Sequence, residues 1–179
     1  MAAQKSTPKK TVKKSKPSPA VKRDARRTSL DMYRLKLVLS ENPLLATFTP
    51  REIETFCRRL SLRQVRKGEK IFKEGDHGDY LFFVIQGKVE VRLEGSHEHH
   101  LLGLYAEGAL VGEMAVVDEY PRSATVTALE DSEILILTKS RFDEIITKNK
   151  DLGIKLLLSI ARVISTRLRN TLGRFFELA

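Results

Sequence analysis

The stretch Gly75–Glu94 reads GDHGDYLFFVIQGKVEVRLE, and its second half alternates strictly. Val89, Val91 and Leu93 fall between Lys88, Glu90, Arg92 and Glu94, the period-two pattern of a strand with one wet face. Upstream of Gly87, Leu81–Ile85 is apolar without a break, a second strand, and the two are separated by a glycine turn. Further strands are predicted at Ile71-Phe72, Leu101–Leu104, Ala124–Ala128 and Glu133–Leu137, with Gly68, Gly75, Gly87, Gly95 and Gly108 as punctuation. Many short strands with evenly spaced turns point to a closed roll or barrel between residues 62 and 139.

One segment departs from the strand pattern. Gly112-Glu113-Met114-Ala115 is followed by Pro121-Arg122-Ser123-Ala124-Thr125-Val126, so a carboxylate and a guanidinium stand at the two ends of a short stretch. A guanidinium holds two phosphate oxygens in one plane, and a carboxylate accepts from a sugar hydroxyl. A turn of helix opening at Gly112 would add free backbone N–H groups toward the same anion. This residue set suits a small phosphorylated sugar.

The run Glu107-Gly108, Gly112–Ala115 and Pro121–Val126 closely resembles the phosphate-binding cassette of the cyclic-nucleotide-binding domain family, which includes the catabolite activators and the regulatory subunits of cyclic-AMP-dependent kinase. The upstream motif Gly75-Asp76-x-Gly78-Asp79, then Tyr80–Ile85, Gly87 and Val89, resembles the same family, and the likeness runs over roughly residues 38 to 172. It implies a mainly β fold with flanking helices: a double-stranded β-helix, a jelly-roll-like β-roll, with N-terminal helices and a long C-terminal helix. The cassette would span residues 107–126. Arg122 would pair with the phosphate and Glu113 would accept the ribose 2′-hydroxyl. Ser123 would stand near the phosphate, with Met114, Ala115 and Ala124 offering backbone N–H groups. Gly112 would let the chain approach the sugar, and Val111, Val126 and Leu104 would wall the base. In this family threonine often follows the arginine where cyclic GMP is favoured, so Ser123 leans toward cyclic AMP. The catabolite activators contact adenine through a Thr-Ser pair on the long helix; here Arg167-Leu168 stand near that place. Arg167, Arg169, Asn170 and Thr171 are either lid groups or solvated.

Of 32 basic and 23 acidic side chains, ten and one lie in residues 1–28, leaving the remainder with 22 of each. The whole net charge of +9 thus belongs to a Lys-, Ser- and Pro-rich tail, expected to be disordered. Arg26-Arg27-Thr28-Ser29-Leu30 has the form of a basophilic kinase site or kinase-docking segment. No apolar run approaches the ~18 residues of a membrane span. With a single cysteine, Cys57, expected to be buried and inert, the sequence is read as a soluble, cytoplasmic protein.

Residues 29–61 are expected to hold two helices. The first would bury Leu30, Tyr33, Leu37 and Val38, and the second would start at Thr49-Pro50-Arg51-Glu52, a capping box that buries Ile53, Phe56, Cys57 and Leu60. Residues 140–179 should form a short helix from Ser140 and a long one capped by Asp151. The stripe at 157, 160, 164 and 168 permits pairing with a second copy. His97, Glu98, His99 and His100 read as a solvated hairpin tip rather than a metal site, and Asp76 and Asp79 as turn formers.

No nucleophile–base pair or metal carboxylate set is evident, so a non-enzymatic sensor of cyclic AMP is expected, without cofactor or metal, signalling through its C-terminal helix to an unidentified effector protein. Only seven residues follow Leu172, too few for a helix-turn-helix, so no sequence-specific DNA binding is expected. A kinase-regulatory relative and a degenerate roll serving as an interaction module are the alternatives.

Overall fold

The computed structural model describes residues 29–94 and 99–177, with side chains for 32–94 and 100–173. The basic tail, Arg26–Thr28 of the kinase-like segment and the tip His97-Glu98 lie outside the described residues.

Two four-stranded antiparallel sheets face each other. One has the order β1 (Ser61–Val65), β8 (Ser132–Thr138), β3 (Tyr80–Gln86), β6 (Leu110–Val111). The other runs β2 (Lys70–Phe72), β7 (Thr125–Ala128), β4 (Lys88–Glu94), β5 (His99–Ala106). Neighbours in the sheets are mostly distant in sequence, the wrapping of a β-roll. Phe82, Val84, Ile134, Ile136, Val89 and Val126 fill the space between the sheets.

The outer face of the first sheet is covered too. Leu81, Phe83, Ile85, Leu135 and Leu137 pack under α1 (Ser29–Ser40), α2 (Pro50–Cys57), α4 (Lys139–Lys148) and α5 (Lys150–Glu177). This is why β3 is one unbroken apolar run while β4 alternates: β3 is buried on both faces, whereas β4 buries Val89 and packs Val91 partly beside it.

Several local devices fix the helices. The capping box of α2 is formed, with Glu52 Nα donating to Thr49 Oγ1 at 3.3 Å and Thr49 Nα donating to Glu52 Oε2 at 2.7 Å. Lys155 of α5 also donates to Glu52; these bonds, Lys155 first, hold the Glu52 carboxyl below its ordinary range. Buried Asn42 caps the 3₁₀ turn Pro43–Leu45 through Leu44 Nα and donates to the Gly108 carbonyl at 3.1 Å, tying the N-terminal helices to the roll. Gly153 lies against α4 so closely that a Cβ there would stand 2.9 Å from Ile146 Cα.

Three expectations need correction. In α1 the buried residues are Leu35 and Leu39, whereas Tyr33 is 62% exposed and Leu37 47%. Apolar residues surround that helix, so no single stripe singles out a face. The caps also sit earlier: Thr138 accepts from Arg141 Nα to start α4, and Asn149 rather than Asp151 accepts from Leu152 Nα at the head of α5. Finally, the stripe 157–160–164–168 is split. Leu156 and Ile160 are buried against the protein's own body, with Val163 and Ile164 packed beside them. The exposed apolar side chains of α5 are Ile154, Leu157, Leu158, Leu168 and Leu172.

Candidate functional site

The chain leaves β6 at Val111 and turns at Gly112, whose φ of +81° is a left-handed conformation suited to glycine. It then enters α3 (Glu113–Asp118). A Cβ at Gly112 would meet Arg122 Nη1 at 2.8 Å and Phe72 Cε1 at 3.1 Å, so there is a second, steric reason for glycine. α3 ends at Glu119, itself left-handed at φ +61°, whose carboxylate meets Lys139 at 3.2 Å.

The glycine-rich turn 75–79 docks on this segment. Gly75 Nα donates to the Arg122 carbonyl at 2.9 Å, and Arg122 Nα donates to the Asp76 carbonyl at 2.8 Å. Gly78 touches α3 directly; a Cβ there would overlap Ala115 Cβ at 2.2 Å. The two motifs read separately along the chain are thus one assembly.

Arg122 is 3% exposed. Its Nη1 donates to the Gly112 carbonyl at 2.9 Å and its Nη2 to the Tyr80 carbonyl at 2.7 Å. The guanidinium lies 4.0 Å from the Phe72 ring centroid and 4.8 Å from that of Tyr80, a cation–π arrangement on both. Tyr80 is held in turn by its hydroxyl donating to the Ile71 carbonyl at 2.8 Å. Two features stand out. Arg122 Nε is buried with no hydrogen-bond partner, and among the described residues no carboxylate forms an ion pair with the guanidinium. Burial lowers the Arg122 pKa, with Tyr80, Asp79, Asp76 and Glu113 opposing electrostatically. Burial likewise raises that of the Tyr80 phenol.

These groups border a cavity of about 690 Å³, within the range of small-molecule sites. All ten residues singled out from the sequence line it: Leu104, Val111, Gly112, Glu113, Met114, Ala115, Arg122, Ser123, Ala124 and Val126. Glu113 is buried; Ser123 is exposed, with its hydroxyl 3.8 Å from Met114 Sδ. Of the lid candidates, Arg167, Asn170 and Thr171 reach the cavity, while Arg169 donates to Ser165 along its own helix. Phe72, Leu101, Leu102 and Tyr105 also line it, without having been singled out. The first is a core strand residue, and the others lie on a strand whose sequence does not tell which face is walled. No group of three metal-ligating side chains occurs among the described residues.

Comparison with known proteins bears on the same region. Residues 62–149 match a family model described as cyclic nucleotide-binding domain. Lysophospholipase nte1 of Aspergillus terreus is 28% identical over 131 residues, 73% of this chain and 8% of that protein. The cyclic AMP receptor protein of Thermus thermophilus is 34% identical over 102 residues, 56% of this chain and 47% of that protein. The chain therefore spans less than half the length of either. Among solved structures, a cyclic nucleotide-binding domain from Methylobacillus flagellatus shares the fold with a TM-score of 0.74 at 22% identity, covering 83% of this chain and 84% of that one. The catabolite activator protein of Thermus thermophilus aligns with a TM-score of 0.67 at 29% identity, covering 76% of this chain and 62% of that one.

Proposed function

Since its residues 62–149 make this chain a member of the cyclic nucleotide-binding domain family, we propose that the cavity bordered by Arg122 and Glu113 binds cyclic AMP and that the protein is a sensor rather than an enzyme. The observation that carries this reading is Arg122: a buried guanidinium without an anion, with an unused N–H, at the wall of a nucleotide-sized space. A buried charge is costly unless paired, and a cyclic phosphodiester supplies the missing charge together with two acceptor oxygens in one plane. Glu113 accepts the ribose hydroxyl, and Leu104, Val111 and Val126 pack against the base. Ser123 after the arginine and the name of the Thermus receptor favour cyclic AMP over cyclic GMP. Calorimetric titration of the full chain with both nucleotides tests this, with tighter binding of cyclic AMP expected. Failure of both to bind at millimolar concentration would leave the roll as an interaction module.

The output runs through α5 to a separate effector protein, and no helix among the described residues is long and apolar enough to cross a membrane. The open face of α5 also supports pairing with a second copy. Ile154, Leu158, Ala161, Ser165, Leu168 and Leu172 follow one another at steps of four and three residues, the seam of a two-stranded coiled coil. Leu158→Glu should shift the wild-type chain from dimer to monomer in sedimentation; a monomeric wild type would remove this part of the proposal.

A further inference from the structure

Two features that the ligand cavity does not use stand side by side at the start of α1. The first is apolar. Tyr33 and Leu37, one helical turn apart, are exposed, while Leu35 and Leu39 of the same helix take the core. With Pro50 and Ile53 of α2 they border a groove of about 280 Å³. The second is charge. Residues 1–28, which lead directly into α1, carry ten basic side chains and one acidic one, and the rest of the chain is balanced. Leu37 stands about 12 Å along the helix from Ser29, and Tyr33 about half as far. Cations continue at the groove itself. Lys36 and Arg51 line it, and its carboxylate, Glu54, is paired twice, with Lys36 at 3.1 Å and Arg58 at 2.9 Å. α1 sets Asp31 against Arg34 and Lys36, so it subtracts nothing from the excess of the tail.

We propose that α1 and the tail before it form a docking surface for an anionic lipid bilayer, with the basic side chains of the tail in the headgroup layer and Tyr33 and Leu37 entering the interface beneath. The inference goes beyond the cyclic-nucleotide reading and is independent of it.

The sign of the charge disfavours the nearest occupants. A second copy seated on the groove would bring two strongly basic tails together, and like charges at that range repel. The tail itself is poorly suited to fill the groove. It has the same sign as Lys36, Arg51 and Arg58, and apart from Met1 and its prolines only Val12 and Val21 are apolar side chains larger than alanine. The fitting partner is negatively charged and has an apolar layer. A nucleic acid supplies phosphates but, along its backbone, nothing apolar for Leu37. An acidic protein would have to match ten basic groups spread among Ser, Thr and Pro, with no bulky apolar anchor to fix a register. A lipid leaflet requires no register. Its charge is continuous and attracts basic segments within a Debye length. Directly below lies the interface where tyrosine settles, with hydrocarbon for leucine. Each Lys or Arg near such a surface tightens binding about fivefold. The tail supplies the attraction, and the apolar pair fixes which side of the protein meets the lipid.

The test is sedimentation of the full-length chain with vesicles of phosphatidylcholine alone and of phosphatidylcholine mixed about two to one with phosphatidylglycerol. Binding is expected to the mixed vesicles only, weakening steeply as salt is raised. Lys9→Gln, Lys10→Gln, Lys13→Gln, Lys14→Gln and Lys16→Gln combined should weaken it at least about a hundredfold. Tyr33→Ser with Leu37→Ser should weaken it about tenfold and leave the salt dependence unchanged. Both sets alter tail or exposed positions, and unchanged thermal melting confirms that the fold is kept. Wild-type binding equal to that of the Tyr33/Leu37 variant would leave a basic tail without a docking face and overturn the inference. Absence of binding to the mixed vesicles at low salt would overturn it as well. So would binding of double-stranded DNA or polyglutamate as tight as that of the mixed vesicles at the same salt, which would make the tail a general arm for polyanions.

Discussion

Replacing Arg122 by alanine is expected to weaken binding of cyclic AMP by ~3 kcal/mol or more, upwards of a hundredfold. The size follows from burial. In water a lost guanidinium–phosphate pair is replaced by solvent; at a position 3% exposed it is not. The phosphate would then enter a pocket lined by two aromatic rings and two carbonyl oxygens, Gly112 and Tyr80, that have lost their donor. Both carbonyls repel the anion that the arginine had shielded from them. Arg122→Lys is a sharper probe, because it keeps the charge and loses the fork. A single ammonium satisfies the two carbonyls and two phosphate oxygens poorly and stacks less well between rings, so recovery should be only partial. Calorimetry on folded variants reads both effects, and unchanged affinity in Arg122→Ala would refute the role given to this residue.

Gly78→Ala should be nearly as damaging, though Gly78 lies outside the cassette. The added carbon would stand 2.2 Å from Ala115 Cβ and 3.4 Å from Arg122 Cζ. The colliding atom, Ala115 Cβ, is fixed to the α3 backbone, so the 75–79 turn must back away from α3. That movement pulls on the paired backbone bonds between Gly75, Asp76 and Arg122. Overpacking of this kind costs roughly 1–3 kcal/mol of stability, and affinity should fall at least tenfold as α3 and Arg122 lose their common support. A rescue isolates the cause: Ala115→Gly removes the methyl group that collides. Chemical denaturation of the two single variants and the double variant should show Gly78→Ala to be far less costly when residue 115 is glycine. Equal cost in both backgrounds would place the damage elsewhere.

The cassette was legible because its chemistry is local. Glycine, carboxylate, proline and arginine fall within fifteen residues, and the turn of helix expected to open at Gly112 does open there. The strands were legible for the same reason, since alternation in β4 and the unbroken run of β3 report how many faces each strand buries. β6, only two residues long, gave no periodic signal. The helices were harder. α1 and α5 carry apolar residues on more than one side, so their sequences do not say which side the roll takes. In α1 it took Leu35 and Leu39; in α5 it took Leu152, Leu156 and Ile160. Least legible was the pair Arg167–Glu113. An arginine on a polar helix end looks the same whether solvated or bonded, and nothing within its own neighbourhood points 54 residues back to a carboxylate.

The burial of α5 changes abruptly along its length. Leu152, Gly153, Leu156, Ser159 and Ile160 are buried, and Ser159 is bonded to the Leu44 carbonyl. From Ala161 onward no described residue is. Mechanically the helix is a cantilever, clamped as far as Val163 and Ile164, which pack on the core, and overhanging for the 13 residues beyond, about 20 Å. Arg167 stands about 5 Å out from the clamp and is the brace. A shift of 1 Å at the brace therefore becomes about 4 Å at Glu177.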